Sequence, residues 1–144
     1  MNTGLYDTDY ELWLKEQIQA LQQGNLEVLD TPHLVEELES LNKSNKREMY
    51  SYLRVLLAHL LKWQYQPSLR SSSWEASMYN SRLGIEQVIA DQPSLKNYWA
   101  EILPKAYKDA KKLAAKETKL DINLFPDKCP YFVEQLEDEN WFPN

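Results

Sequence analysis

The chain has 144 residues, a formal charge of −6 and 43% hydrophobic residues, which fits one folded domain with a substantial core. The acidic balance argues against sequence-independent nucleic-acid binding, which leans on clustered cations. A single cysteine, Cys129, excludes an intrachain disulfide and any multi-cysteine zinc site.

The first residues show no basic start followed by an apolar stretch, so no signal peptide is read. The most apolar run, residues 53–63, is interrupted by Arg54, His59 and Lys62. It is far short of the ~20 apolar residues that cross a bilayer. The expectation is one cytoplasmic domain over residues 1–144, with no membrane and no nucleic-acid role.

Only three glycines occur and strand-like alternation is absent, so the pattern is helical throughout. A first helix is expected from Asp7, as N-cap, to Gln23. Its apolar face is Tyr10, Trp13, Leu14, Gln17, Ile18 and Leu21, and Gly24 supplies a left-handed cap. A second opens at Asp30-Thr31-Pro32 and buries Leu34, Val35, Leu38 and Leu41. A break at Asn42-Lys43-Ser44-Asn45 leads to a third helix over 45–66. It carries the strongest stripe, Met49, Tyr52, Leu53, Leu56, Leu57, Leu60 and Leu61, and ends at Pro67.

Ser72 and Glu75 read as the capping box of a fourth helix with core face Trp74, Met78, Ile85, Val88 and Ile89. Trp74 then opens a buried stripe, whereas Trp63 falls beside one. Pro93-Ser94-Leu95 starts a fifth segment with a kink or break expected at Pro104 and helix resuming to Thr118. A tail and a short turn near 131–136 complete an all-α fold. It is a bundle-like four-helix core with the kinked fifth helix and the C-terminal tail packed on it.

Several chemistries are absent from the sequence. No glycine-rich phosphate loop, no Gly-x-Ser-x-Gly elbow, no His-x-x-x-His and no Cys-x-x-Cys occur, and His33 and His59 are the only histidines. No catalytic residue, metal or cofactor is assigned. Glu36, Glu37 and Glu39 read as a solvated face, and in a hairpin turning at Lys43 Glu37 lies far from His59.

The corner at residues 59–74 is the candidate polar site. His59, Lys62 and Gln66 lie one turn apart, and Arg70, Ser73, Trp74 and Arg82 stand around the junction to the next helix. Two readings stand side by side. The residues form a small anion or ligand pocket at a helix start, or they brace the junction, with the arginine satisfying helix-end carbonyls and the serines acting as caps. The six lysines from Lys105 to Lys119, set against acidic first helices, offer a charge asymmetry for a partner or a second copy.

Tyr6-Asp7, Trp13, Leu29-Asp30 and Leu34 through Glu39 share a pattern with His59-Leu60-Leu61-Lys62-Trp63, Gln66-Pro67, Arg70-Ser71, Ser73-Trp74 and Arg82. It continues through Pro93-Ser94-Leu95, Tyr107, Glu117-Thr118, Phe125-Pro126 and Cys129-Pro130-Tyr131. With these residues the chain resembles the bacterial domain of unknown function 29 family over nearly its whole length. The resemblance implies an all-helical domain and no particular activity. The chain departs from the family pattern at Asn42 and Lys119, where glycine is frequent, and at Ser81 and Phe132. The leading expectation is a protein-interaction or self-association module, with a protein partner or a homo-oligomer. The alternative is a small-ligand or anion binder, or an enzyme, using the 59–74 corner.

Overall fold

The computed structural model describes residues 4–144. The fold is all-α, and no strand occurs among the described residues. The helices are α1 (Leu5–Thr8), α2 (Tyr10–Gln22), α3 (Thr31–Tyr65), α4 (Ser72–Asp91), α5 (Trp99–Thr118) and α6 (Val133–Glu137), with short 3-10 turns between them. The chain divides into two compact units, residues 1–44 and residues 45–144.

In the first unit, Asp9 breaks the expected first helix in two. Its non-helical backbone, φ −149° and ψ 85°, ends α1, and its carboxylate accepts from Leu12 N at 3.1 Å to cap α2. The cap is therefore Asp9 and not Asp7. Gly24 closes α2 as expected, with φ +68° and with Asn25 N donating to Ala20 O at 2.9 Å. Trp13, Gln17 and Ala20 are buried, but Tyr10, Leu14, Ile18 and Leu21, assigned above to the same inner face, are exposed.

The expected break at residues 42–45 does not occur, and α3 runs unbroken for 35 residues. Asn, Lys and Ser each cost a helix interior only a few tenths of a kcal/mol, about 0.7 at most. Without glycine or proline, a polar stretch is no stop. The hairpin that would have covered Leu34, Val35, Leu38 and Leu41 therefore has no turn. Leu38 is 65% and Leu41 64% exposed.

The second unit holds the hydrophobic core. Met49, Leu53, Leu56, Leu57, Leu60 and Leu61 of α3 are fully buried, against Met78, Ile85 and Ile89 of α4 and Ile102, Ala106, Tyr107, Ala110 and Ala114 of α5. The fifth helix and the tail belong to this core and do not merely cover it. Phe125, Tyr131 and Leu136 are buried in it, Tyr107 donates to Pro126 O at 2.5 Å, and Tyr131 to Gln64 Oε1 at 2.8 Å.

Pro104 lies inside α5 without breaking it. It sits early in the helix, where the ladder partner it forgoes is the carbonyl of exposed Ala100. The C-terminus of α5 is held by Lys119, a non-glycine residue at φ +64° where the resembled family often has glycine. Gly84 of α4 faces the Tyr52 ring so closely that a Cβ there would lie 2.6 Å from ring carbons.

Candidate functional site

The 59–74 corner falls wholly in the second unit, at the end of α3 and the start of α4. Each of its cations has a protein partner. Lys62, only 7% exposed, donates to Glu117 Oε2 at 2.6 Å, with its ammonium 5.0 Å from the Trp74 ring centroid. Arg70 is exposed; its Nε donates to the Trp63 carbonyl at 2.8 Å and its guanidinium lies over the Trp63 ring. Arg82 is buried and donates from Nε to Leu136 O and from Nη2 to Gln135 O, both at 3.0 Å. It thus ties α4 to α6.

The remaining residues also make local bonds. The Nδ1–H of His59 donates to the Val55 carbonyl one turn back at 2.9 Å. Burial, joined by the nearby Lys62 charge, lowers its pKa and favours the neutral ring. Gln66 Nε2 reaches Thr118 O at 3.5 Å. The cap of α4 is Ser71, which accepts from Trp74 N at 3.2 Å, so the expected Ser72 cap moves by one residue. Ser73 is exposed on the first turn.

Trp63 and Trp74 are both half-buried against the core, which corrects the expected contrast between them. The helix end needs donors at its carbonyls and the helix start needs an acceptor, and these side chains supply both. The structure brings Lys62 and Trp74 together and gives Arg70 and Arg82 separate backbone partners.

A second cluster, not anticipated from the sequence, lies in the first unit. Asp30, 4% exposed, accepts at Oδ2 from the Trp13 indole at 2.9 Å and from His33 Nδ1 at 2.7 Å, while its own N–H donates to Gln17 Oε1 at 2.7 Å. The Tyr6 ring stacks on His33 with centroids 3.9 Å apart. Tyr6 and Tyr10 both donate to the Glu37 carboxylate, Tyr10 at 2.7 Å. Glu37 is therefore tied to α1 and α2, unlike the simply solvated carboxylate read from the sequence.

The electrostatics match this geometry. The His33 bond, aided by the Trp13 indole, lowers the Asp30 carboxyl against the opposing effect of burial. The same bond raises His33, which favours the imidazolium–carboxylate form of the pair. A His–Asp pair can orient a general base, but here the ring is also stacked on Tyr6 and bonded to a buried carboxylate. Its evident work is to pin the start of α3 to α2. The sequence signals were the Asp30–His33 spacing of one helical turn and the Trp13–Gln17 spacing on the facing helix.

Among the described residues no group of three or more His, Cys, Asp or Glu side chains is placed to hold a metal ion, and no helix is long and apolar enough to cross a membrane. Burial raises the Cys129 thiol, and its Sγ faces Tyr131 O at 3.6 Å. Searches of curated proteins and of solved structures give no significant match. A family model described as Domain of unknown function DUF29 matches residues 5–142, and the chain belongs to that family.

Proposed function

We propose that this protein acts as an interaction module that binds another polypeptide through residues 4–44. One observation carries the reading. Of the sixteen large apolar side chains that stand exposed among the described residues, ten fall between Tyr10 and Leu41. Scattered exposed leucines are ordinary, but this density in so short a segment is what a docking surface needs.

The test is thermal. Changing Leu38 and Leu41 together to serine should leave Tm within about 1 °C of the wild type, because exposed side chains contribute little to stability. It should also lower binding of an apolar fluorescent dye. A fall of several degrees, the mark of ~1 kcal/mol or more in a chain of this size, would mean that the leucines are packed in solution and the reading fails.

A second reading has one observation in its favour. A cleft of about 490 Å³ in the second unit is lined by the apolar Ile85, Ile89 and Leu136 together with the charged Arg82, Glu86 and Lys96. Its size and its mixed lining suit a small amphipathic molecule. Filling it with Ile89→Trp should abolish any thermal stabilisation that a small-molecule screen finds on the wild type. A stabilising compound that acts equally on both proteins would exclude this cleft.

A further inference from the structure

The charge around the exposed apolar side chains defines what could cover them. On α2, Leu14, Ile18 and Leu21 are exposed at i, i+4 and i+7. On α3, half-buried Leu34 and exposed Leu38 and Leu41 repeat that spacing. This is the anchor spacing by which helices engage one another through an apolar face. Residues 1–44 contain nine Asp and Glu against Lys15 and Lys43, a formal charge of −7, while residues 45–144 carry +1.

That charge discriminates among occupants. The same face of a second copy brings −7 against −7 and is repelled, as are a nucleic-acid backbone and an anionic lipid surface. The lysine-rich face of a second copy's α5 answers the charge. Among the described residues, however, no large apolar side chain is exposed between Trp99 and Thr118 to meet the leucines. What satisfies both requirements is an apolar stripe with basic flanks.

Building on the interaction reading above, we propose that the first unit docks an amphipathic helix of another protein whose apolar stripe is flanked by lysine or arginine. The leucines supply the contact area. Glu36 and Glu39, exposed beside Leu38, meet the basic flanks. Opposite charge at the rim speeds encounter and sets orientation more than it adds affinity, so the leucines should dominate binding and the glutamates its salt dependence.

The probe is a fluorescent synthetic helix of leucine and lysine alone, titrated at physiological salt onto the full chain and followed by anisotropy. The wild type should bind it, and a leucine–glutamate helix of the same pattern should not bind. Leu38→Ser with Leu41→Ser should weaken the lysine helix about tenfold or more, each tenfold being about 1.4 kcal/mol. Leu83→Ser, an exposed leucine of the second unit, should leave it unchanged. Glu36→Gln with Glu39→Gln should flatten the salt dependence.

Failure of the lysine helix to bind, equal binding of the glutamate helix, or binding unaffected by the double serine variant would overturn the proposal. So would a wild-type dimer in sedimentation that the double serine variant dissolves, because that makes a second copy the occupant. If the lysine helix fails while the double serine variant keeps its Tm and loses dye binding, only the chemistry of the occupant is wrong and the interaction reading stands.

Discussion

In residues 45–144 the leucines of α3 are sealed in the core, with Leu53, Leu56, Leu57, Leu60 and Leu61 fully buried. In residues 4–44 leucines of the same helix, Leu38 and Leu41, stand in solvent. What holds the first unit is polar and aromatic. Trp13, Asp30, His33 and Gln17 form a bonded cluster, with Tyr6 and Tyr10 joined to Glu37. Helical spacing decides which side chains share a face; whether that face is covered depends on the chain reversing to meet it, and no reversal occurs at residues 42–45. The first unit's aliphatic side chains are thus left exposed by its folding, as the proposed docking requires.

The sharpest break of this comparison is Trp13→Ala. The indole is 1% exposed and bonded to Asp30, so its removal should cost about 3–5 kcal/mol, typical of a buried large aromatic. Hydrogen exchange should show the loss first in residues 4–44. A variant with wild-type protection there would show that the cluster does not hold the unit.

In the second unit Gly84→Ala should be next in size. The new methyl would meet the Tyr52 ring at 2.6 Å, and overpacking of this kind costs about 1–3 kcal/mol. Denaturant unfolding measures it, and Gly84→Ala paired with Tyr52→Leu should recover most of the loss. No recovery would mean that the clash lies elsewhere.

Lys119→Gly should stabilise the chain by about 0.5–1 kcal/mol, because glycine takes the left-handed cap of α5 without the Cβ penalty. An unchanged or lower midpoint in the same denaturant assay would contradict that reading of the cap.

The two histidines should give the two units opposite responses to pH. His33 is raised by its bond to Asp30, so its contribution is complete below the ordinary value of about 6.5 and is lost as pH rises through its raised value. Asp30 is lowered, so its contribution holds above the ordinary carboxylate range and is lost as pH falls through its depressed value. His59 is lowered chiefly by burial, so its contribution holds above about 6.5 and is lost as pH falls through its depressed value. Raising pH above 6.5 should therefore weaken exchange protection in residues 4–44, and lowering it below 6.5 should weaken residues 45–144. His33→Gln and His59→Gln should each remove one trend. Parallel trends in both units would contradict the assignment.

The helices of the second unit, the left-handed Gly24 and the corner's supply of bonding side chains were legible because each rests on local chemistry: periodicity, a turn residue, or donors beside a helix end. The continuity of α3 was not, since Asn42 and Ser44 resemble a break while costing the helix little. The division of Leu14 and Ile18 from Trp13 and Gln17 was also hidden. One wide apolar stripe on α2 is split by what packs on it, and spacing alone does not say where the edge falls. The Asp30–His33 pair was written in the sequence, yet its meaning depends on the Trp13 indole and the Tyr6 ring, which folding brings to it. Lys119 is the reverse case. Its departure from the glycine frequent in the resembled family marked a turn, and the left-handed backbone is found there.

Carbene footprinting of the native 144-residue chain at micromolar concentration tests the central claim most directly, because it labels side chains in proportion to their exposure. The account predicts heavy labelling of Leu26, Leu38 and Leu41 and protection of Leu57 and Leu60 on the same timescale. Leu38 and Leu41 as protected as Leu57 would contradict it, since the aliphatic face of the first unit would then be covered already and unavailable to a partner.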